Sequence, residues 1–449
     1  MNLYQDVFFR GLDLLRGRHT IERLRSLRRS QHWDSAKLRR WQLQRLNALL
    51  AQAKSASPFH AGRLAGLELP LRSLEQIERL PILTNSDIRP NLQTIKTTNL
   101  PHSRYVLSRT GGSTGEPMFY FWDKLGMDWN RASVYRSAEW AGTALGERAL
   151  QMSGSHFDYD RGRKLAARMV NFLQRYRDCS VAFLTEDKLQ QYYRLLLRFR
   201  PQSIWGYASG VDEFARYIAA EHPQADLSFV KAILTSSETL RPEQRERINA
   251  AFGPDRVFDN YGSREMYVGA ECSAHDGYHL HAEVLLVEIV DSEGQACAPG
   301  QRGRVILTDL SNHAFPFIRY EIGDLAVMGQ PGDCACGVRL PRLQRLEGRI
   351  ADVVVLRDRV LTAPNFATLF SDKPGICAYQ IRQHSIDELE VIMETGDGFT
   401  QDTRRYIAEA IEVMVAGQAR VSIVTDRKIQ VPQSGKRRFV VSSVSAGRI

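Results

Sequence analysis

Between Trp33 and about Phe59 the chain reads WDSAKLRRWQLQRLNALLAQAKSASPF, with apolar residues spaced three and four apart, which predicts a helix closed by Ser57-Pro58. Upstream, FFRGLDLLRGRHTIERLRSLRR interleaves arginines with Leu, Ile and Phe. This is the pattern of a basic amphipathic helix that either packs on the domain behind it or touches anionic lipid. From Tyr105 short β-rich runs (FYFW, SIWGY, VKAILTS, RVFDNYG) alternate with helical ones (LQQYYRLLLRFR, PEQRERINAAFG). That alternation predicts an α/β domain with largely parallel strands. Between His279 and Val327 strand follows strand across Gly/Pro turns (YHLHAEVLLVEIVD, RGRVILTDL, FPFIRYEIGDLAVM), which predicts a β-rich subdomain. After Asp352 comes VVVL and then mixed pieces ending in KIQVPQSGKRRFVV, enough for a small α+β domain.

The expected organisation is a large N-terminal domain over 1–351, with a helical opening (1–100), an α/β part (101–270) and a β-rich part (271–351), and a C-terminal domain over 352–449. A chain of 449 residues exceeds the size at which one core stops growing, in keeping with two domains. Hydrophobic residues at 43% and charged residues at 25% argue against disorder. No stretch reaches the apolar length of a membrane span, and the first twenty residues lack a secretory apolar block, so a cytoplasmic location is expected. The net charge of +9 suits anionic ligands such as nucleotides or CoA. No zinc-finger, RNA-recognition or homeodomain-like pattern accompanies it, so no nucleic-acid partner is expected. Six scattered cysteines read as reduced thiols.

The segment Ser108-Arg109-Thr110-Gly111-Gly112-Ser113-Thr114-Gly115-Glu116-Pro117 is dense in glycine and hydroxyls, which lets backbone N–H groups approach phosphate oxygens. It is no Walker A loop, because no Lys follows the glycines. On composition alone it reads as a phosphate cradle or a surface turn.

The order of motifs resolves this. Thr110 to Pro117 resembles the phosphate loop of adenylate-forming enzymes, and Asn260-Tyr261-Gly262-Ser263-Arg264-Glu265 is similar to their Tyr-Gly-x-x-Glu motif. Phe317-Ile318-Arg319-Tyr320-Glu321-Ile322-Gly323-Asp324 is similar to their Tyr-Arg-Thr-Gly-Asp motif. Gly348-Arg349-Ile350-Ala351-Asp352 resembles their hinge, and Ser434-Gly435-Lys436 their C-terminal lysine motif. The short length, the helical opening and the Cys-x-Cys resemble the phenylacetate-CoA ligase branch, and the phosphate-loop wording its CapK-type relatives. The fold this implies is an α/β N-terminal adenylate-forming domain, with mostly parallel sheets and a β-subdomain, and a small mobile α+β C-terminal domain.

The resemblance implies ATP, Mg²⁺ and CoA, or the phosphopantetheine of a carrier protein, as cofactors and a small carboxylic acid as substrate. Thr110, Gly111, Gly112, Ser113, Thr114 and Gly115 would cradle phosphates. Tyr261, between Asn260 and Gly262, would lie against adenine, and Glu265 would contact Mg²⁺. Asp324 would accept bonds from the ribose hydroxyls, and Arg349 would offer its planar fork to ribose or phosphate. Asp352 would be the hinge. Lys436 would bring a charge to the α-phosphate and the carboxylate, with Lys428 as the fallback. Ser237 and Glu238 stand at the family's adenine stretch, where serines replace its two glycines, and Glu116 stands where many relatives have Lys.

Cys334-Ala335-Cys336 is a chelating pair, and with Cys272 and His279 it would complete a tetrahedral structural Zn²⁺ site of a type found in this branch. His275 and His281 compete for the fourth position, and buried free thiols are the plain alternative. The acid pocket is expected among Ser153 to Tyr159, Trp205-Gly206-Tyr207 and the residues before Tyr261. A thiol acceptor, an amine or hydroxyl acceptor and a non-catalytic nucleotide binder stay open, as do a carrier-protein partner and a homodimeric assembly.

Overall fold

The computed structural model describes residues 9–110, 118–152, 172–181, 184–349, 353–357, 360–362, 366, 369–370, 373–425, 427–429 and 439–444. The predicted opening helix spans Ser35–Ala56, with the Asp34 side chain accepting from the Lys37 N–H as its N-cap. A new helix, Pro58–Arg63, starts at the predicted Ser-Pro stop. The basic amphipathic stretch forms the helix Thr20–Ser30, which buries Ile21, Leu24 and Leu27 in the domain core.

Antiparallel β1 (Tyr105–Arg109) and β2 (Phe119–Asp123) make a separate ribbon. The FYFW run therefore lies outside the parallel sheet that the alternation suggested. Its Tyr120 and Trp122 turn instead into an aromatic core with Phe315, Phe317 and Tyr320.

Short runs rich in Ile, Leu, Val and aromatic residues form β3 (Ala149–Met152), β4 (Tyr176–Cys179), β5 (Ser203–Tyr207), β6 (Ala232–Ser236) and β7 (Val257–Gly262). All their mutual pairings are parallel. The helices Glu186–Phe199, Ala208–Glu221 and Pro242–Phe252 lie between successive strands from β4 to β7, and their apolar faces share one core with them.

Then come β8 (Tyr267–Ala270), β9 (Tyr278–Leu280), β10 (Leu285–Val290), β11 (Arg302–Asp309), β12 (Tyr320–Met328) and β13 (Arg342–Arg349), all antiparallel. The two regimes form one eleven-stranded sheet in the order β10-β11-β12-β13-β9-β8-β7-β6-β5-β3-β4. Strand β7 is the seam, parallel to β6 and antiparallel to β8.

A second body has its own core. Beyond the short pair β14 (Val353–Val355) and β15 (Val360–Thr362) it is built of β16 (Ile376–Ser385), β17 (Glu388–Thr395), β18 (Arg420–Val424) and β19 (Val440–Ser442) in the order β18-β17-β16-β19. The helix Gln401–Val415 covers it, with Ile407, Ile411 and Val415 buried against Ile381, Val391 and Met393.

One buried ion pair joins three parts of the large domain. Arg136, on the helix Lys124–Trp140, is 1% exposed and donates to both carboxylate oxygens of Glu283 at 2.6 and 2.9 Å. It also donates to Leu27 O at 3.0 Å and to His281 Nδ1 at 2.8 Å, while Ser30 donates to Glu283 at 2.6 Å. Removing one buried partner strands the other charge. Arg136→Met is expected to lower unfolding stability by about 3–5 kcal/mol. The double variant Arg136→Met/Glu283→Leu should recover much of that loss in urea unfolding, and equal losses in the two would rule the pairing out as the cause.

Candidate active site

Strands β12 and β13 are registered so that Asp324 faces Arg349, with the Arg349 Nε 3.4 Å from Asp324 Oδ1. Gly323 precedes Asp324 with φ of +87°, a left-handed conformation that favours glycine. At the end of β7, Tyr261 donates its hydroxyl proton to Asp324 Oδ2 at 2.9 Å. Burial, reinforced by the Asp324 charge, holds the Tyr261 phenol well above its usual pKa, so it stays a donor. Three residues from three motifs thus meet around one carboxylate.

Glu265 follows the β7 turn, where Ser263 Oγ accepts its N–H at 3.2 Å. Its carboxylate is buried beside Tyr120 and Tyr320, whose phenol pKa values are raised by burial and then by the Glu265 charge. Those hydroxyls are committed elsewhere: Tyr120 donates to Arg264 O at 2.7 Å and Tyr320 to Asn85 Oδ1 at 2.9 Å. Among the described residues no side chain bonds to the Glu265 carboxylate. A buried hard-oxygen donor of this kind fits a divalent cation such as Mg²⁺.

Other expected site residues serve the scaffold. Glu238 Oε2 accepts the Ser209 N–H at 2.9 Å, in the first turn of the helix Ala208–Glu221, where a carboxylate complements the helix dipole. Ser237 precedes it with φ of +70°. Asn260 is buried, its amide donating to Thr235 O at 3.0 Å and accepting from the Tyr267 hydroxyl, so its side chain is turned inward. Gly262 lies where a Cβ would come within 3.0 Å of Met266 O. Thr110 pairs with Met118: its N–H donates to Met118 O at 2.8 Å and its Oγ1 accepts from Met118 N–H at 3.0 Å. Gly111, Gly112, Ser113, Thr114, Gly115, Glu116, Asp352 and Lys436 lie outside the described residues, as does the 153–159 stretch expected at the pocket. Lys428 is exposed.

The sulfur and imidazole ligands converge. The donor atoms of Cys272, His279, Cys334 and Cys336 all lie within 4.8 Å of one another, with Cys272 Sγ 3.6 Å from Cys334 Sγ and Cys336 Sγ 3.3 Å from His279 Nε2. A tetrahedral zinc site with ordinary bond lengths needs S···S of about 3.8 Å and S···N of about 3.5 Å. His279 Nδ1 sits 3.4 Å from Leu340 O, which sets the tautomer and leaves Nε2 for a metal. Burial lowers the His279 pKa to about 4, which favours the neutral ring that a metal would require. Gly277 makes the approach possible, because its φ is +76° and a Cβ there would fall 2.2 Å from Leu343 O. His281 is excluded by its commitments to Arg136 and Ser137 (Nε2 to Ser137 Oγ, 3.1 Å), and His275 stacks on Phe258 instead.

A cavity of about 370 Å³ lies between the helix Lys124–Trp140 and the β3–β5 face of the sheet. Trp122, Tyr135, Tyr176 and Trp205 form its apolar wall, and Arg131 and Arg264 carry charge into it. Of these, sequence reasoning had placed only Trp205 at a pocket. The available signal was the spacing of Met127, Arg131, Val134 and Tyr135 on one helix face.

No family model matches the chain. It is 22% identical to protein CapK of Staphylococcus aureus over 412 residues, covering 90% of this chain and 89% of that protein. It is 25% identical to the phenylacetate-coenzyme A ligase of Thermus thermophilus over 391 residues, covering 82% and 83%. Among solved structures it superposes on 2-hydroxyisobutyryl-CoA ligase in the postadenylation state, in complex with R3-HIB-AMP, with a TM-score of 0.74 at 21% identity over 93% of this chain and 92% of the other.

Beneath Tyr261 lies a buried carboxylate pair. Asp259 accepts from Thr235 at 2.7 Å and Tyr278 at 2.8 Å, and burial followed by the Glu271 charge pushes it up to about 7. Glu271 is held low despite its burial by His275 and by Arg245, which donates to both its oxygens at 2.7 and 2.9 Å. Because the folded Asp259 keeps its proton to about pH 7 and an unfolded Asp loses it near about 3.9, this group costs stability as pH rises through that window. Asp259→Asn removes that term. The stability of the variant relative to the wild type should therefore rise from pH 4 to 7, with a slope of at most about 1.4 kcal/mol per pH unit. Urea unfolding at pH 5 and 7 checks this, and a pH-independent difference would sink it.

Proposed function

We propose that this chain, a member of the phenylacetate-CoA ligase and CapK branch of the adenylate-forming enzymes and an acid–thiol ligase of that class, binds Mg·ATP around Tyr261, Asp324 and Arg349 and activates a small carboxylic acid as its acyl-adenylate. The observation that carries the assignment is the convergence of those three side chains, at 2.9 and 3.4 Å, from positions far apart in sequence.

In this reading the substrate carboxylate attacks the α-phosphorus, the bond to the bridging oxygen breaks and pyrophosphate leaves. Asp324, fixed between Tyr261 and Arg349, accepts the ribose hydroxyls and sets the angle of the nucleotide. Glu265 would hold Mg²⁺, which supplies charge neutralisation on the phosphates when bound. Ser113 and Thr114 with their glycines line the phosphates, and Lys436 adds a point charge at the reacting centre. In the second half-reaction the thiol sulfur of CoA or of a carrier protein attacks the acyl carbon and AMP leaves, with Asp352 as the hinge between the two steps.

The Cys272, His279, Cys334 and Cys336 set supports a structural Zn²⁺ that clamps the β8–β9 turn to the loop after β12. A cytoplasmic setting suits six thiols, all of them free.

The deciding assay is pyrophosphate release from Mg·ATP across aryl, short-chain and hydroxy acids, with and without CoA. Asp324→Ala loses two charge-assisted bonds and should cut kcat/KM by about 10²-fold or more, and Tyr261→Phe by about tenfold. CoA-dependent thioester formation supports the thiol acceptor, whereas AMP release indifferent to CoA would point to an amine or hydroxyl. If Asp324→Ala matches the wild type, the nucleotide assignment is wrong. Metal analysis should find about one zinc per chain, lost in Cys334→Ser together with a lowered Tm. Metal-free protein of unchanged Tm would remove zinc from the reading.

A further inference from the structure

The cavity beside Arg264 carries more positive charge than the activation of a simple acid requires. Arg264 directly precedes Glu265, which ties one wall of the cavity along the chain to the proposed adenylation site. Arg131 lies elsewhere on its wall, on the helix Lys124–Trp140, and makes no hydrogen bond or ion pair with another described residue. Two acids on that side bond to other groups: Asp128 accepts from His19 N–H at 2.8 Å and Thr20 Oγ1 at 3.1 Å, and Asp13 from Ile21 N–H at 3.0 Å. Arg16 and Arg18 add cations on the same side. Burial, then the charges of Arg131 and Arg16, lowers the Arg18 pKa even against the pull of Asp128 and Asp13. Asn130 spends its Oδ1 on the Tyr267 N–H at 2.9 Å, leaving its amide NH2 as a donor. Trp122, Tyr135 and Trp205 supply flat apolar walls.

A guanidinium with no carboxylate bonded to it among the described residues, an amide donor and aromatic walls together form the complement of a flat molecule with an anionic end. We propose that the acid taken here is a dianion: a flat dicarboxylic acid whose second carboxylate is held by Arg131 with the help of Asn130, while the first faces the α-phosphate. This rests on the adenylation reading above and narrows its substrate. Arg131 is a specificity residue here, since it binds the end of the substrate that does not react.

The test compares matched aryl pairs differing by one carboxylate: benzoate with terephthalate, and phenylacetate with 4-carboxyphenylacetate. In wild-type protein the diacid of the aryl pairs should exceed its partner by tenfold or more in kcat/KM for pyrophosphate release. Arg131→Gln should bring that ratio close to one, and Arg131→Lys should keep part of it. Fluorescence quenching of the tryptophans by terephthalate against benzoate measures the same preference in Kd without turnover, and the wild-type ratios stand even if a variant folds poorly. A wild-type ratio at or below one overturns the proposal. So does a ratio that survives in folded Arg131→Gln, or an Arg131→Gln defect confined to KM for ATP. If monoacids drive Asp324-dependent pyrophosphate release without a diacid preference, the dianion proposal fails and adenylation stands. If diacids bind preferentially but no acid gives Asp324-dependent release, the adenylation reading fails and the anion cavity stands.

Discussion

Strand β7 accepts a parallel neighbour on one edge and an antiparallel neighbour on the other, and the candidate site depends on that double pairing. Parallel strands bring their C-terminal ends to one rim, where loops and helix N-termini can meet a ligand. Antiparallel strands return the chain at once and carry side chains from distant sequence onto the same rim. Because β7 belongs to both, Tyr261 at its end reaches Asp324 and Arg349 on the antiparallel side. On the parallel side, Tyr207 ends β5 and Ser237 directly follows β6.

Buried charge divides into two kinds. Arg136 with Glu283, and Arg245 with Glu271, make two-pronged ion pairs and tie helices to the segments that connect strands. Such pairs add little net stability, but losing one member strands the other, so breaking them is costly. Glu265 and Arg131 differ in having no hydrogen-bond or ion-pair partner among the described side chains, and both border the proposed substrate site. Charge that the fold leaves unneutralised beside a cavity is charge available to a ligand.

The cysteine cluster solves a different problem. The β8–β9 turn and the segment after β12 are separated by more than fifty residues, and a four-ligand centre would cross-link them without a disulfide. Its second contact, from His279 to Leu340 O, lies on the approach to β13, the strand that ends in Arg349.

The sequence by itself determined the element types and the motif order. Periodicity marked the helix Ser35–Ala56 and the alternating strands, because burial of one helix face or of whole strands leaves a local pattern. Motif resemblance marked Tyr261, Glu265, Asp324 and Arg349, and together with the Cys-x-Cys pair it marked the four candidate zinc ligands. The tertiary structure alone decided that FYFW leaves the main sheet, that Asn260 turns inward while Glu238 caps a helix, and that His281 is claimed by Arg136 rather than by a metal. It alone assembled the cavity that contains Arg131, since its walls come from a helix, four strands and a turn with no common local signature. Local pattern records what each residue must do within its own element. Which polar group is spent on the scaffold and which remains for a ligand depends on neighbours supplied by other segments, and only packing brings those together.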